Sequence, residues 1–283
     1  AAYRTQEDWT KWWRGGDRTF CRKDAPGAYG GYYTQDEVRD LVAYAAARHI
    51  TVIPEIEMPG HSNEVLWAYP SLACEGKVHG QSDFCVGKDS TYQFLKDGLK
   101  EVMDLFPSSY IHIGGDEAGR KTWETCPDCQ REMQANGLKT TAELQGHFTE
   151  KIEQFLNAHG RKLMGWDEIM EGKLAPNAAV MSWRGFEAGL EAARKGHAVV
   201  MTPGKYCYLD HYQDAPITQP NAQGGYVTLE KAYSYEPLPD SCRTPQTEAC
   251  VEGLQGNLWT EYVPTPQHLE YMLYPRALAL AEG

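Results

Sequence analysis

Two adjacent acids, Asp116 and Glu117, are the first residues in this sequence whose types and spacing suit catalysis. They follow an apolar run and two glycines, Gly114 and Gly115, in the stretch YIHIGGDEAG (110–119). Neighbouring side chains of a regular strand point to opposite faces, so two adjacent acids face one pocket only where the strand ends and the backbone turns. Glycine permits that turn, and we expect the glycines also to let a substrate approach the backbone closely.

Crowding of two carboxylates raises the pKa of at least one of them, and a carboxyl group that keeps its proton near neutral pH can act as a general acid. Two solvated surface acids in a turn are the alternative, but the apolar strand and the glycines before Asp116 favour catalysis. The same reasoning nominates a second pair, Asp167 and Glu168, in the stretch MGWDE. Spacing alone does not decide between the two pairs.

The segments around these acids predict an alternation of strands and helices. Strands are predicted at 51–57, 110–115, 162–166, 179–183, 197–202 and 253–259, with a seventh at 29–33. Helices are predicted after the capping boxes of Thr34 with Glu37 and Thr140 with Glu143, from Ser90, over 187–195, and from Thr265 and Pro266.

This alternation implies a parallel sheet covered by helices. Polar and aromatic residues follow the strands, in EMPGH, DEAG, WDE, WRG and WTE, as in barrels whose active sites lie at the carboxyl ends of the strands. No glycine-rich nucleotide-binding motif is present in the sequence. We therefore predict an α/β fold of the TIM-type (β/α)8 barrel class, with residues 1–283 forming a single catalytic domain. Because a barrel needs eight strands, we expect the first strand to be missing and the domain to be truncated at its N-terminus.

Composition restricts the possible partners. The chain has 283 residues, 42% of them hydrophobic, which is enough for a full core. A formal net charge of -12 argues against nucleic acid or an anionic membrane as a partner, since either favours a basic surface. No apolar run approaches the roughly 18 residues of a membrane span.

Eight cysteines are many for a cytosolic enzyme and favour an extracytoplasmic, oxidising location. Cys74 with Cys85, and Cys242 with Cys250, bracket polar loops and are predicted disulfide pairs. The CPDC motif at 126–129 suggests a zinc or redox site, but no second CxxC or HxxxH motif accompanies it at zinc-finger spacing. A local disulfide or two ordinary thiols is the favoured interpretation, and no metal or cofactor is predicted.

Six motifs carry a resemblance to a known family. HIGGDE, VIPEIEMPGH, MGWDE, SWRG, YLD and GNLWTE are distributed over nearly the whole chain, in the family's order. Together they resemble the catalytic barrel of glycoside hydrolase family 20, the β-N-acetylhexosaminidases. The resemblance selects Asp116 and Glu117, rather than Asp167 and Glu168, as the catalytic pair.

The resemblance implies a retaining exo-β-N-acetylhexosaminidase that uses the 2-acetamido carbonyl of its substrate as nucleophile and forms an oxazolinium intermediate. The implied substrate is a terminal non-reducing β-linked N-acetylglucosamine or N-acetylgalactosamine of an amino-sugar-containing glycan or chito-oligosaccharide. Glu117 matches the general acid, and Asp116 matches the residue that orients the acetamido N–H and offsets the charge of the intermediate. Tyr208 matches the hydroxyl that holds the acetamido oxygen.

Residues that bind the sugar are implied in the same way. Three tryptophans match the pocket walls, two acids match the contacts to the far hydroxyls, and one histidine matches a pocket residue: Trp166, Trp183, Trp259, Asp210, Glu261 and His61. We expect Asp36 to orient His61, with a satisfied structural histidine as the alternative. The family's arginine on the first barrel strand, and the small domain that precedes the barrel, are expected to be missing with that strand.

Two other classes of protein are alternatives. A chitinase-like barrel of family 18 shares the acetamido-assisted chemistry, but its DxxDxDxE pattern is absent from the sequence. A sugar-binding protein of the same shape without turnover is the second alternative. The presence of Asp116, Glu117 and Tyr208 gives no reason to prefer it.

Overall fold

The structure is a computed structural model that describes residues 3–5, 20–77 and 83–282. The described chain divides into two compact units, one formed by residues 3–5 and 20–179 and the other by residues 180–282.

The first unit contains five helices and two short strands among its described residues. In chain order these elements are α1 (Gln35–Ala46), α2 (Asn63–Ala68), α3 (Asp89–Leu105), β1 (Tyr110–His112), α4 (Pro127–Ala135), α5 (Thr141–Ala158) and β2 (Lys162–Trp166). Four 3-10 helices, Pro70–Leu72, Cys74–Gly76, Lys121–Glu124 and Asp167–Met170, lie in its loops. Both predicted capping boxes are confirmed, since the hydroxyls of Thr34 and Thr140 accept from the backbone N–H groups of Glu37 and Glu143.

Parallel pairing in the first unit brings three segments of chain side by side. β1 pairs with β2 in the register Tyr110 to Lys162. On the other edge of β1, Ile56 N–H donates to the carbonyl of His112 at 2.9 Å, and His112 N–H donates to the carbonyl of Pro54 at 3.0 Å. The predicted strand at 51–57 is reduced to one parallel bridge, of Glu55 with His112, and the pairing tolerates Pro54 because only its carbonyl is used.

The second unit has the same alternation. Its elements are β3 (Ala179–Ser182), α6 (Glu187–Arg194), β4 (Val199–Met201), α7 (Gly204–Cys207), α8 (Leu229–Tyr233), α9 (Pro245–Cys250), β5 (Val251–Leu254), α10 (Pro266–Leu273) and α11 (Arg276–Glu282), with 3-10 helices at Pro216–Thr218 and Asp240–Cys242. β3 pairs with β4 and β4 pairs with β5, both in parallel. Thr265 caps α10 as predicted, with Pro266 in the first turn.

Two further strand predictions need correction. Residues 29–33 form no strand, because within the described residues only Tyr29 makes a bridge, to Arg4, while Tyr32 and Tyr33 are exposed. β5 ends at Leu254, so the strand predicted at 253–259 stops early, and Asn257 makes only an isolated bridge. In both segments glycines interrupt the run, and an exposed or isolated segment gains little from β-propensity.

Buried side chains of α3 and α5 and of the strands form the core of the first unit. Leu99, Phe148, Ile152, Ile111 and Leu163 are all fully buried. In the described part of the chain, no helix combines the length and the apolar character that a membrane crossing requires.

Candidate active site

The acids Asp116 and Glu117 lie just beyond the end of β1, where the backbone leaves the extended conformation. Gly114 and Gly115 have φ of +67° and +93°, which a residue with a side chain adopts only at a cost. Glu117 also has a positive φ, +47°, and such strain in a non-glycine residue is typical of functional sites. The turn leaves the Asp116 side chain 14% exposed and that of Glu117 55% exposed.

The two glycines make room for protein side chains, and the close approach of a substrate to their backbone stays a prediction. A Cβ atom on Gly114 would collide with the carboxyl group of Glu57. A Cβ atom on Gly115 would lie 2.6 Å from Cγ2 of Ile169. The double glycine is therefore explained by packing beneath the acids.

His61 lies between the two acids. Its Nε2 is 3.3 Å from Oδ2 of Asp116 and 3.3 Å from Oε2 of Glu117. The hydrogen bond to Asp116, opposed by burial and supported by the charges of both acids, raises the pKa of His61 to about 9. His61 is therefore positively charged at neutral pH, and its imidazolium lies between the side chains of Asp116 and Glu117. The expected partner, Asp36, instead pairs with Arg39 on the exposed face of α1.

Two further acids, Glu55 and Glu57, form a layer next to this pair. Burial, followed by the charges of Asp116 and Glu55, raises the pKa of Glu57 to about 10, so Glu57 is a neutral acid that can donate a hydrogen bond to a neighbouring carboxylate. Burial opposes the ionisation of Glu55, but hydrogen bonding and charge from His112, together with hydrogen bonds from Glu57 and Trp166, lower its pKa below the usual value. One carboxyl of the layer is thus protonated and the other ionised.

Trp166 is part of this layer. Its indole Nε1–H donates to Oε1 of Glu55 at 2.7 Å, and Nδ1 of His112 lies 3.2 Å from the same oxygen. The rings of His112 and Trp166 meet edge to face with their centroids 4.9 Å apart. Trp166 is only 2% exposed, so most of its surface contacts protein.

Glu55, Glu57 and His112 are not among the site residues predicted from the sequence. All three lie inside the motifs VIPEIEMPGH and HIGGDE, and the i, i+2 spacing of Glu55 and Glu57 is the signal that was available, because alternate residues of a strand share a face.

The rival pair, Asp167 and Glu168, lies in the 3-10 helix that follows β2, and both residues are buried. A general acid must reach the oxygen that it protonates. The carboxyl of Glu117 is 55% exposed whereas Glu168 is buried, and this difference favours Glu117 as the general acid.

In the second unit, Tyr208 follows α7 and stacks on Trp183. Their ring centroids are 6.1 Å apart and their planes are inclined by 26°. Both side chains are half-buried, so each keeps an open surface. Tyr208 also bridges to Asn257, and the N–H of Asn257 donates to the carbonyl of Cys207 at 2.8 Å. Trp259, two residues beyond Asn257, is 37% exposed.

Asp210 is buried in the second unit, and neither of its carboxylate oxygens has a hydrogen-bond partner from another described residue. Burial, with a contribution from the charge of Glu261, raises the pKa of Asp210 to about 7. One oxygen of Glu261, Oε2, is likewise buried without a partner in the part of the chain that the structure describes. Buried acceptors left without donors are costly, which suits a site that receives hydroxyl groups from a ligand.

Arg276 fixes the backbone around Asp210. Its guanidinium donates to the carbonyls of Leu209 at 2.6 Å and His211 at 3.0 Å, the residues on either side of Asp210. Burial lowers the pKa of Arg276 to about 10, which still leaves it charged at neutral pH. A rigid backbone of this kind holds the Asp210 carboxylate in one place.

Two groups among the described residues have the ligand types and spacing of a metal site. One consists of His61, Asp116 and Glu117, and the other of Cys74, Cys85, Cys126 and Cys129. In the first group the proton on His61 already supplies the positive charge that a cation would bring, so a metal would have to displace it. The cysteine group shares no residue with the group formed by His61 and the two acids.

The predicted disulfides are not present in the structure, in which all eight cysteines are free thiols. Cys74 and Cys85 do approach each other, but as members of a cluster with the two cysteines of the CPDC motif. Of the two predicted states of the CPDC motif, the cysteines are free thiols and not a local disulfide, and they share this cluster with Cys74 and Cys85.

A parallel α/β arrangement with a pair of acids at the end of a strand fits the class of barrel glycosidases. The family model described as "Glycosyl hydrolase family 20, catalytic domain" matches residues 3–283, and the chain belongs to this family. The predicted α/β, TIM-type barrel class is thereby confirmed, and the family 18 alternative loses its basis.

Relatives of known name agree with this assignment. The chain is 50% identical over 263 residues to a beta-hexosaminidase of Porphyromonas gingivalis, an alignment that covers 90% of this chain and 34% of the relative. It is 38% identical over 264 residues to a beta-hexosaminidase of Vibrio furnissii, covering 89% of this chain and 43% of that protein.

A solved structure is also similar. The crystal structure of a GH20 exo-β-N-acetylglucosaminidase from Vibrio harveyi, in complex with N-acetylglucosamine, superposes with a TM-score of 0.82 at 36% identity and covers 90% of this chain and 42% of that one. The chain thus spans between a third and a half of the length of these relatives.

Proposed function

We propose that the protein is a retaining exo-β-N-acetylhexosaminidase that removes terminal non-reducing β-linked N-acetylglucosamine or N-acetylgalactosamine from amino-sugar-containing glycans or chito-oligosaccharides. The observation that carries this proposal is the arrangement of Asp116, Glu117 and His61 at the end of β1, with Nε2 of His61 3.3 Å from both carboxylates. The names and family of its relatives support the same activity.

In the first step, Glu117 protonates the oxygen that leaves. The carbonyl oxygen of the 2-acetamido group attacks the anomeric carbon, the bond to the leaving oxygen breaks, and the proton of Glu117 passes to that oxygen. Glu117 then carries a negative charge, which the imidazolium of His61, 3.3 Å away, stabilises. The exposure of Glu117 fits a group that must reach the aglycone side of the bond.

Asp116 acts on the other end of the same sugar substituent. The less exposed carboxylate accepts the acetamido N–H and balances the positive charge of the oxazolinium ring as it forms. The imidazolium of His61, with Nε2 3.3 Å from Oδ2 of Asp116, holds the Asp116 side chain in place. In the second step water attacks the anomeric carbon, Glu117 takes up the proton of that water, and the oxazolinium ring opens with overall retention.

Residues of the second unit fit binding roles. The partnerless oxygens of Asp210 and Glu261 are suited to accept hydrogen bonds from sugar hydroxyls. The family pattern assigns Tyr208 to the acetamido oxygen and the tryptophans Trp183 and Trp259 to the sugar faces. Trp166 is better placed to hold Glu55, because its N–H donates to that carboxylate and its surface is buried.

Hydrolysis of chromogenic substrates by the full-length protein tests this function. We expect release of 4-nitrophenol from the N-acetyl-β-D-glucosaminide and the N-acetyl-β-D-galactosaminide, and none from the β-D-glucoside, which lacks the acetamido nucleophile. Binding of N-acetylglucosamine without any turnover would instead identify a sugar-binding protein. Equal cleavage of the glucoside would show that a protein carboxylate, and not the substrate, is the nucleophile.

A further inference from the structure

Four cysteines of the first unit, separated by up to 55 residues in sequence, converge on one point of its interior. Cys74, Cys85, Cys126 and Cys129 are all buried. The sulfur of Cys129 lies 3.9 Å from that of Cys74 and 3.7 Å from that of Cys85, and the sulfurs of Cys85 and Cys126 are 3.6 Å apart. All four sulfurs lie within 4.8 Å of one another.

These spacings are those of a tetrahedron around a metal ion. A zinc ion binds thiolates at about 2.3 Å, so the edge of an ideal tetrahedron of four sulfurs is about 3.8 Å. A disulfide would need two sulfurs at about 2.05 Å. Single buried cysteines usually behave as small apolar residues, but apolar packing gives no reason for four sulfurs from three chain segments to share one centre.

The local structure of each segment supports a built site. Cys74 begins a 3-10 helix, Cys126 precedes α4, and Cys129 lies in the first turn of α4. Cys85 lies in a turn in which its carbonyl accepts from the N–H of Lys88 at 3.3 Å. A Cβ atom on Gly87 would collide with the backbone of Asp128 and Cys129, so a glycine is required for this turn to lie against the CPDC turn.

We propose that Cys74, Cys85, Cys126 and Cys129 bind one zinc ion in a structural, four-thiolate site. Tetrahedral coordination by four sulfurs is typical of zinc or iron–sulfur sites, and closed zinc sites of this composition stabilise folds without taking part in catalysis. Binding converts each thiol to a thiolate and releases its proton. The sequence predicted no metal because ten residues separate Cys74 from Cys85, whereas a CxxC motif has two residues between its cysteines.

The position of the cluster indicates what the zinc ion stabilises. Directly before Cys85, the N–H of Phe84 donates to the carbonyl of Pro59 at 2.9 Å, in the turn that carries His61. The carboxylate of Asp83 accepts from the N–H groups of Gly119 at 3.2 Å and Arg120 at 2.7 Å, in the loop that follows Glu117. The zinc site therefore anchors the segment against which both parts of the candidate active site are held.

Metal analysis of the full-length protein, purified without chelators or added metal, tests this proposal. We expect one zinc ion per chain, and we expect the four cluster thiols to resist alkylation until the protein is denatured in the presence of a chelator. Cys129→Ser should lose the zinc, whereas Cys250→Ser, which changes a half-exposed cysteine outside the cluster, should keep it.

A variant that keeps a metal ligand at position 129 distinguishes loss of zinc binding from a failure of the variant to fold. Cys129→His offers a nitrogen ligand in place of the sulfur and should retain zinc, because three cysteines and one histidine also form closed zinc sites. Two disulfides within the cluster, detected as a mass deficit and cross-linked peptides without reduction, would overturn the proposal. Four alkylatable thiols with no bound metal would overturn it as well, and iron in place of zinc would overturn the choice of metal.

Discussion

The carboxyl groups of the candidate site differ in protonation although they lie close together. Glu57 is held neutral by burial and by its acidic neighbours, while hydrogen bonds from three side chains keep Glu55 ionised despite its burial. His61 adds one positive charge between Asp116 and Glu117. At the scale of single residues, the chemistry depends on which side chain carries each proton. Substitutions that alter the protonation of one side chain at a time are therefore the appropriate tests.

Glu117→Gln should separate the roles of the two candidate acid pairs. We expect a loss of about 10²–10⁴ in kcat/KM for chitobiose, whose leaving group needs full protonation, and a much smaller loss for the 4-nitrophenyl glycoside. Glu168→Gln is the matched control, because Glu168 is buried in the 3-10 helix after β2. If Glu168→Gln shows the selective pattern, the general acid belongs to the other pair.

Asp116→Asn should impair the step in which positive charge develops. A neutral amide cannot balance the oxazolinium ring, so we expect kcat to fall by about 10²–10³ with little change in thermal unfolding. The affinity for a thiazoline mimic of the cyclised intermediate should fall with it. An Asp116→Asn variant that binds the thiazoline as tightly as the unaltered protein would contradict the assigned role.

At the scale of elements, the end of β1 is shaped by what lies beneath it. Gly114 allows the turn and also leaves the space that the carboxyl of Glu57 occupies. The segment 54–58 runs parallel to β1 and presents Glu55 and Glu57 towards this turn. The geometry of the loop that carries Asp116 and Glu117 therefore depends on the neighbouring segment 54–58, because Gly114 has no Cβ atom.

Gly114→Ala should be more destabilising than backbone conformation alone explains. Gly137 has the same φ of +67°, but nothing lies within 4 Å of the position of its Cβ, which makes Gly137→Ala the matched control. We expect a loss of about 1 kcal/mol in the free energy of unfolding for Gly137→Ala and a further 1–3 kcal/mol, roughly, for Gly114→Ala. Denaturant titration of both variants measures the difference, and equal losses would show that the contact with Glu57 does not constrain the turn.

At the scale of the whole molecule, several groups shift the pH dependence of stability in one direction. The pKa of His61 is raised to about 9, that of Glu57 to about 10 and that of Asp210 to about 7. At pH values between the ordinary pKa of each group and its raised pKa, the native state therefore binds more protons than the unfolded state. The free energy of unfolding falls as pH rises through this range. For His61 the stabilisation is complete below its ordinary pKa of 6.5 and is lost as the pH passes about 9.

We expect the melting temperature to be higher at about pH 5 than at about pH 9, because the native state binds more protons than the unfolded state in this range. Glu57→Gln removes one of the titrating groups while keeping a neutral side chain of similar shape, so it should flatten the pH profile and raise the melting temperature at alkaline pH. Glu132→Gln should instead lower the melting temperature at neutral and alkaline pH. Hydrogen bonds from Lys151 and His147 outweigh burial and lower the pKa of Glu132, so its ionised form stabilises the native state. A Glu57→Gln profile that runs parallel to that of the unaltered protein would show that Glu57 is ionised in the native state.

The cysteines bear on the whole molecule in another way. An extracytoplasmic location stays a prediction, and it depends on the number of cysteines. The proposed zinc site gives four of the eight cysteines a function that needs no oxidising compartment. Only the other four cysteines then favour an extracytoplasmic location.

Short-range signals in the sequence determined much of this protein. The capping boxes at Thr34 and Thr140, the apolar strand before Asp116 and the motif order that identifies the family are all local patterns, and the structure and the comparisons confirm the elements and the family. Such patterns are readable because propensity, capping and strand termination act between residues a few positions apart.

Tertiary structure alone decided the remainder. Three contacts join residues far apart in sequence: Gly114 with Glu57, His61 with Asp116 and Glu117 instead of the expected Asp36, and Cys74 and Cys85 with the CPDC turn. Sequence spacing does not show which loop packs against the end of which strand. Protonation states and metal geometry depend on distances of a few ångströms, and only the packed chain sets those distances.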